Sequence, residues 1–272
     1  MLKFIIIMAM KRHPKIENLE IECKKEKIFL YDTLPEEETL IKETLYITDH
    51  PEIYQGLSQE GANVLVWSHE ENKVDRFINA PYIIENINEI ELDYLKKVYR
   101  RFQKLPWDIT ETLRCKIREM TEDDIEDLYR IYEGDTITKY MEGLYEDREK
   151  ERQFIRSYIE NAYEFYGFGT WVIERKEDSR LIGRVGFNMR EGYEEPELGF
   201  VIAEEFQRQG YAFECCRAVM EVGKKEYDFD RIQTLVQIQN EASLELCKKL
   251  GFIWVEEIEY ENKAYCRWIK YL

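Results

Sequence analysis

Two short stretches of this chain carry residues whose types and spacing suit the binding of an anion. The first is Gln207-Arg208-Gln209-Gly210-Tyr211-Ala212, between an apolar run, Leu198 to Ile202, and an amphipathic run through Val219, Met220 and Val222. That pattern reads as a strand, a turn and the opening of a helix. Small residues at Gly210 and Ala212 let a ligand come close to the backbone. The first amides of a helix have no partner inside it, and with the helix dipole they make a seat for phosphate groups. Arg208 could add a charge-assisted bond or simply be solvated. Taken alone, the stretch also fits an ordinary tight strand-to-helix connection. The second stretch lies further downstream, where Asn240-Glu241-Ala242-Ser243 opens a helix that closes at Leu250-Gly251-Phe252. Asn240 is suited to cap it, and Ser243 faces the same way one turn later.

These stretches need a scaffold, and the surrounding sequence describes one. After a boundary near Leu105-Pro106-Trp107-Asp108, Leu113 to Arg118 reads as a strand and Thr121-Glu122-Asp123-Asp124 as a capping box. Ile125, Leu128, Ile131 and Tyr132 recur at helical spacing. A long helix follows, about Arg148 to Tyr166. Trp171 to Ile173 and Leu181 to Phe187 are consecutive antiparallel strands joined at Glu177-Asp178-Ser179. Strands at Glu197 to Ile202 and Arg231 to Gln239 each precede one of the two helix openings. A hairpin turning at Glu261-Asn262-Lys263 ends the chain. The order is β-α-α-β-β-β-α-β-α-β-β.

In this order and spacing, the two stretches resemble the GNAT superfamily of acetyl-coenzyme A-dependent N-acetyltransferases. The run from Gln207 to Ala212 matches that family's Q/R-x-x-G-x-G/A pyrophosphate loop, and Asn240 to Phe252 its N-x-x-A/S…GF segment. Gly169 to Ile173 and Leu181 to Phe187 are similar to the ribosomal-protein N-terminal acetyltransferase branch. The resemblance covers roughly residues 113–272. It implies an α+β catalytic domain on a mixed, mostly antiparallel sheet flanked by helices. It also implies transfer of an acetyl group from acetyl-coenzyme A to a primary amine, on a small molecule or a protein N-terminus, by direct attack in a ternary complex.

The resemblance assigns roles as well. The backbone of Val201 and Ile202 would pair with the pantetheine arm where two strands splay apart. Gln207, Arg208, Gln209, Gly210, Tyr211 and Ala212 would enclose the pyrophosphate through their amides, and Asn240 and Ser243 would orient the arm. Amide formation from a thioester requires the amine to lose a proton and the leaving thiolate to gain one. Glu197 stands where many members of the family place a base, often acting through water. It equally fits a solvated strand-edge carboxylate, and Glu195, set off by Pro196, is a weaker candidate. The family's general-acid tyrosine, seven residues after the asparagine, is replaced here by Cys247. A thiol can donate a proton, but a buried cysteine ordinarily packs. Tyr140 and Tyr145 in the 134–146 loop, with the hairpin at Tyr260 to Tyr265, would border the amine. The absent tyrosine also keeps open a non-catalytic acyl-coenzyme A sensor.

Residues 1–108 form a separate expectation, a small parallel α/β domain ahead of a catalytic domain at 109–272. Strand-like runs at Ile28 to Tyr31, Thr44 to Asp49, Val64 to Trp67 and Pro81 to Ile84 alternate with helix starts at Thr33-Leu34-Pro35-Glu36 and Pro51-Glu52 and a helix from Glu91 to Lys104. This part faintly resembles the second half of a haloacid dehalogenase-like domain. It lacks the D-x-D-x-T segment that would supply a nucleophile, which implies a catalytically silent unit. Asp49 ends a strand, where ligands gather in α/β sheets, and also fits a turn or helix-capping aspartate.

Composition narrows the partners. The 272 residues carry a net charge of −17, which argues against nucleic acid, because phosphate binding needs a basic surface. It suits a cationic amine. Six cysteines without a C-x-x-C pair, and three histidines, give no metal pattern and point to free thiols in a reducing, cytoplasmic setting. Phe4 to Met10 is too short to span a bilayer and has no small-residue cleavage site after it, so it reads as a first strand or an ill-defined start, with a weak signal peptide as the lesser alternative. The protein is expected to be a monomer or a homodimer.

Overall fold

The apolar run FIIIM forms β1 (Phe4–Met8), the second strand of a five-stranded parallel sheet in the order β2-β1-β3-β4-β5. The structure, a computed structural model, describes residues 1–9, 17–33, 41–72 and 77–272. The chain divides into two units, Met1–Leu105 and Pro106–Leu272. In the first, β2 (Phe29–Tyr31), β3 (Thr44–Thr48), β4 (Asn63–Trp67) and β5 (Ile83–Ile84) alternate with α1 (Glu17–Glu26), α2 (Pro51–Gln59) and α3 (Leu92–Phe102). Both faces of this sheet are buried, so its strands read as continuous apolar runs. Successive side chains point to opposite faces. Ile5, Ile7, Leu45, Ile47 and Leu65 pack with Leu19, Cys23, Leu95 and Val98 of α1 and α3. Ile6, Tyr46, Val64 and Val66 pack on the other side with Tyr54 of α2.

The helix start expected at Thr33 to Glu36 falls largely on residues outside those described. Helix α1 lies in a segment for which the sequence pattern indicated no helix. Only Leu19 and Cys23 of ENLEIECKKE are buried, one i,i+4 pair, so its amphipathic signal is slight.

The polar groups at the carboxyl ends of β1, β3 and β4 bond to one another. Thr48 Oγ1 donates to the Met8 carbonyl at 2.8 Å, and Asn72 Nδ2 donates to the carbonyls of Asp49 and Trp67, each at 2.9 Å. Asp49, 4% exposed, lies with Oδ2 3.1 Å from His69 Nε2. The Glu71 N–H donates to His69 Nδ1 at 3.2 Å, so the hydrogen-bond pattern assigns the ring proton to Nε2, facing Asp49. Asp49 is not a helix cap, because His50 holds that position in α2.

The second unit is an eight-stranded sheet in the order β12-β13-β11-β10-β9-β8-β7-β6. It opens with a hairpin, β6 (Asp108–Glu111) and β7 (Cys115–Arg118), of which the sequence reading anticipated only the second strand. Then come α4 (Ile125–Tyr132), the short α5 (Asp135–Thr138), α6 (Arg148–Tyr158), β8 (Thr170–Arg175), β9 (Leu181–Asn188) and β10 (Glu197–Ile202). Helix α7 (Tyr211–Glu226), β11 (Arg231–Gln237), α8 (Glu241–Leu250), β12 (Ile253–Tyr260) and β13 (Lys263–Tyr271) complete it. The helix expected to reach Tyr166 ends as α at Tyr158 and continues as a π turn, Ile159–Tyr163. The capping box is present, with Thr121 N–H donating to Asp124 Oδ2 at 2.7 Å. Glu261 and Asn262 both take positive φ, as the two-residue hairpin turn they form requires. Neighbouring strands are antiparallel except β10 and β11. Trp171 and Phe187, both fully buried and edge-to-face at 6.3 Å, centre the core. Gly223 lets α7 approach it, since a Cβ there would stand 2.8 Å from Phe187.

Candidate active site

The sheet is incomplete at one place. Strands β10 and β11 share a single ladder position, Glu197 opposite Gln233. The Gln233 N–H donates to the Pro196 carbonyl at 2.9 Å. Beyond that point β10 remains paired with β9 as far as Ile202, and β11 with β13 as far as Gln237, so the two strands part like a wedge. A cavity of about 1350 Å³ opens there, bordered by both strands, by the turn before α7 and by the start of α8. The inner edges of β10 and β11 thus keep backbone groups that no strand partner satisfies, which an extended ligand arm can use.

The root of the wedge is clamped by side chains. Fully buried Gln233 donates through Nε2 to the Glu195 carbonyl at 3.1 Å and accepts from Arg267 Nε at 2.8 Å. Arg267 and Arg231 both pair with the Glu195 carboxylate. Glu195 does not border the cavity. It anchors two arginines at the root of the wedge.

At the wide end of the wedge lies the turn. Gln207 Nε2 donates to the Ile202 carbonyl at 3.0 Å, fixing the turn to the strand. Arg208 at φ +62° and Gly210 at φ +85° both lie in the left-handed region. Such turns direct successive amides into one concavity, and a non-glycine residue adopts that conformation only where its surroundings hold it. The Glu214 N–H is the first to bond back into α7, to the Gly210 carbonyl at 3.1 Å. The amides of Tyr211, Ala212 and Phe213 therefore have no partner within the helix. Across the cavity, Asn240 Oδ1 accepts from the Ser243 N–H at 3.2 Å and caps α8.

Of the residues singled out in the sequence, Glu197, Val201, Ile202, Gln207, Arg208, Gly210, Tyr211, Ala212, Asn240, Ser243 and Tyr140 border the cavity. Tyr140 spans its mouth, its hydroxyl donating to the Gln239 carbonyl at 3.0 Å while its own carbonyl accepts from Gln237 Nε2 at 3.0 Å. Besides Glu195, three do not border it. Gln209 turns its side chain back to the Glu205 carbonyl, 2.9 Å away. Tyr145 packs its exposed ring edge-on against Phe154. Cys247 is fully buried under α7, beside Cys216, and burial pushes its thiol up to about 12.

Two residues not singled out in the sequence also line the site. Arg190, in the loop after β9, makes a two-pronged ion pair with Glu197, with Nη2 3.3 Å from Oε1. Its guanidinium lies 4.9 Å from the centroid of the Tyr260 ring. Asn188 also borders the cavity and accepts from the Tyr158 hydroxyl at 3.0 Å. Neither sits in a motif. The alternation of β9 could have flagged Asn188, because residue 188 faces the same side as Glu197 across the ladder. Among the described residues no group of histidine, cysteine and carboxylate side chains is placed to hold a metal, and no helix is long and apolar enough to cross a membrane.

Comparison with known proteins agrees with this geometry. Residues 114–253 match the family model described as the acetyltransferase (GNAT) domain. The uncharacterized N-acetyltransferase YoaA of Bacillus subtilis is 32% identical over 147 residues, covering 53% of this chain and 82% of that protein. A GNAT-family acetyltransferase of Bacillus anthracis superposes with a TM-score of 0.51 at 22% identity, covering 59% of this chain and 96% of that one. The ribosomal L7/L12 alpha-N-protein acetyltransferase RimL, solved in complex with coenzyme A, superposes with a TM-score of 0.52 at 16% identity, covering 61% and 98%.

Proposed function

Because the chain belongs to the acetyltransferase (GNAT) family, we propose that it transfers an acetyl group from acetyl-coenzyme A to a primary amine by direct attack within a ternary complex. The observation that carries this reading is the wedge between β10 and β11, ending at a turn whose helix amides are free of helix partners. The cofactor supplies an acetyl group activated as a thioester. The inner edges of β10 and β11, at Val201, Ile202 and Thr234 to Gln237, pair with its pantetheine arm in strand fashion. The amides from Arg208 to Phe213 receive the pyrophosphate. Gly210 keeps that approach open, and Asn240 and Ser243 line the opposite wall.

Glu197 accepts the proton that the amine gives up as the new C–N bond forms, directly or through one water. Arg190 holds its carboxylate in place, and Tyr140 and Tyr260 bound the side from which the amine enters. The C–S bond then breaks, and the thiolate takes a proton from water, since Cys247 lies away from the cavity. The N-terminal unit carries no part of this chemistry.

One observation favours a second reading. Cys247, at the position of the family's acid, is buried away from the cavity, and Arg190 already occupies the carboxylate of Glu197. A non-catalytic acyl-coenzyme A sensor would tolerate both. Calorimetry with coenzyme A, followed by turnover of acetyl-coenzyme A across a panel of small amines and N-terminal peptides, separates the two. Binding with turnover supports the transferase, binding without turnover across the panel supports the sensor, and no binding sinks both.

A further inference from the structure

We propose that Arg114 is a positioning residue that presets the pyrophosphate seat. The inference rests on the reading of that turn as the seat. Arg114 precedes β7, far from the turn in sequence, yet its side chain grips the turn at several points. Its backbone N–H donates to Glu214 Oε1 at 2.9 Å, and its Nε to Glu214 Oε2 at 2.7 Å. Its Nη1 donates to the Gln209 carbonyl at 3.0 Å. The guanidinium lies over the Tyr211 ring, 4.1 Å from the centroid, and a Cβ on Gly210 would stand 3.5 Å from Nη2.

Gln209 lies between the two left-handed residues, Arg208 and Gly210. Holding its carbonyl from behind turns the neighbouring amides toward the cavity, as an anion-binding turn requires. A planar fork of donors suits this task, because one rigid group can reach a carboxylate, a carbonyl and a ring face together. The guanidinium charge is matched by Glu214. Burial pushes that carboxyl up, but hydrogen bonds from Thr112 and Arg114 outweigh it and hold it below the ordinary carboxylate range. Arg114 therefore shapes the seat without adding net charge to it. The other two arginines beside the turn follow the same plan. Arg175 covers the Phe206 ring and pairs with Asp178, and Arg180 pairs with Glu205.

The test compares wild type with Arg114→Lys, which keeps a cation beside Glu214 but cannot bridge it to Gln209, and with Arg114→Gln. Calorimetric affinities are measured for coenzyme A, for ADP, which carries a pyrophosphate but no arm, and for S-acetylpantetheine, which carries the arm alone. Melting curves establish that each variant is folded. Both variants should lose about tenfold in affinity for coenzyme A and ADP, about 1.4 kcal/mol, with S-acetylpantetheine binding unchanged. Coenzyme A affinity within twofold of wild type in a folded variant overturns the proposal. So does an equal loss for all three ligands, which marks a general structural role. Should both variants fail to fold, Glu214→Gln, which releases the guanidinium from its anchor, carries the same measurement. Wild type that binds neither coenzyme A nor ADP overturns the seat itself, and the proposal with it.

Discussion

The two units solve the same problem in opposite ways. In the N-terminal sheet every described strand pairs with its neighbours, and at its carboxyl edge Thr48, Asp49, His69 and Asn72 are tied into hydrogen bonds, although the buried His50 Nδ1 beside them has no hydrogen-bond partner among the described residues. In the C-terminal sheet one junction is left open, and its backbone groups face a cavity. A buried polar group without a partner is costly, so a fold satisfies it internally or keeps it for a ligand. The parallel sheet takes the first course at Thr48, Asp49, His69 and Asn72, although its strand order reverses between β1 and β3, the place where α/β sheets commonly bind ligands. The lesson is that topology offers sites, and the local hydrogen-bond balance decides which are used.

The comparison can be broken most forcefully in the closed unit. Leu65 is fully buried on β4 of the parallel sheet. Leu65→Ala should destabilise that unit by about 2–5 kcal/mol while leaving coenzyme A affinity unchanged. A parallel fall in affinity would show that the open site depends on the closed unit. Next in size is Glu197→Gln, which keeps the shape and can still accept a hydrogen bond but cannot take a proton. It should lower turnover about a hundredfold or more at unchanged coenzyme A affinity. A mutant with the wild-type rate and pH profile would reduce Glu197 to a partner for Arg190.

Gly210→Val tests the turn. The residue sits at φ +85°, a conformation closed to a β-branched side chain, so coenzyme A affinity should fall at least tenfold, about 1.4 kcal/mol. Unchanged affinity in a folded variant would sink the pyrophosphate assignment. The smallest effect belongs to Cys247→Ala. A thiol held near 12 by burial is a poor acid at neutral pH, so turnover should stay within about twofold while stability drops by about 1 kcal/mol. A large rate loss with intact stability would restore Cys247 as the proton donor.

What the sequence determined by itself is what short-range physics controls. Gly210 in the left-handed turn, Asn240 capping α8, the capping box at Thr121 and the hairpin turn at Glu261-Asn262 each depend on a few adjacent residues. The periodicity of the strands and long helices is equally local, and it carried the order of the C-terminal fold. The short α5, the hairpin strand β6 and the weakly amphipathic α1 escaped, because each has too few buried residues to make a pattern. Only the tertiary structure decided which side chains meet across the chain. It brought Arg190 to Glu197 and Arg114 to Gln209, turned Cys247 into the core, and tied Glu195 to two arginines. The family resemblance implied that two strands part near Val201 and Ile202, but the point where β10 leaves β11, at Glu197 and Gln233, was decided by the tertiary structure. That point depends on the order of eight strands and on one buried glutamine, Gln233, whose partners come from β13 and the loop before β10.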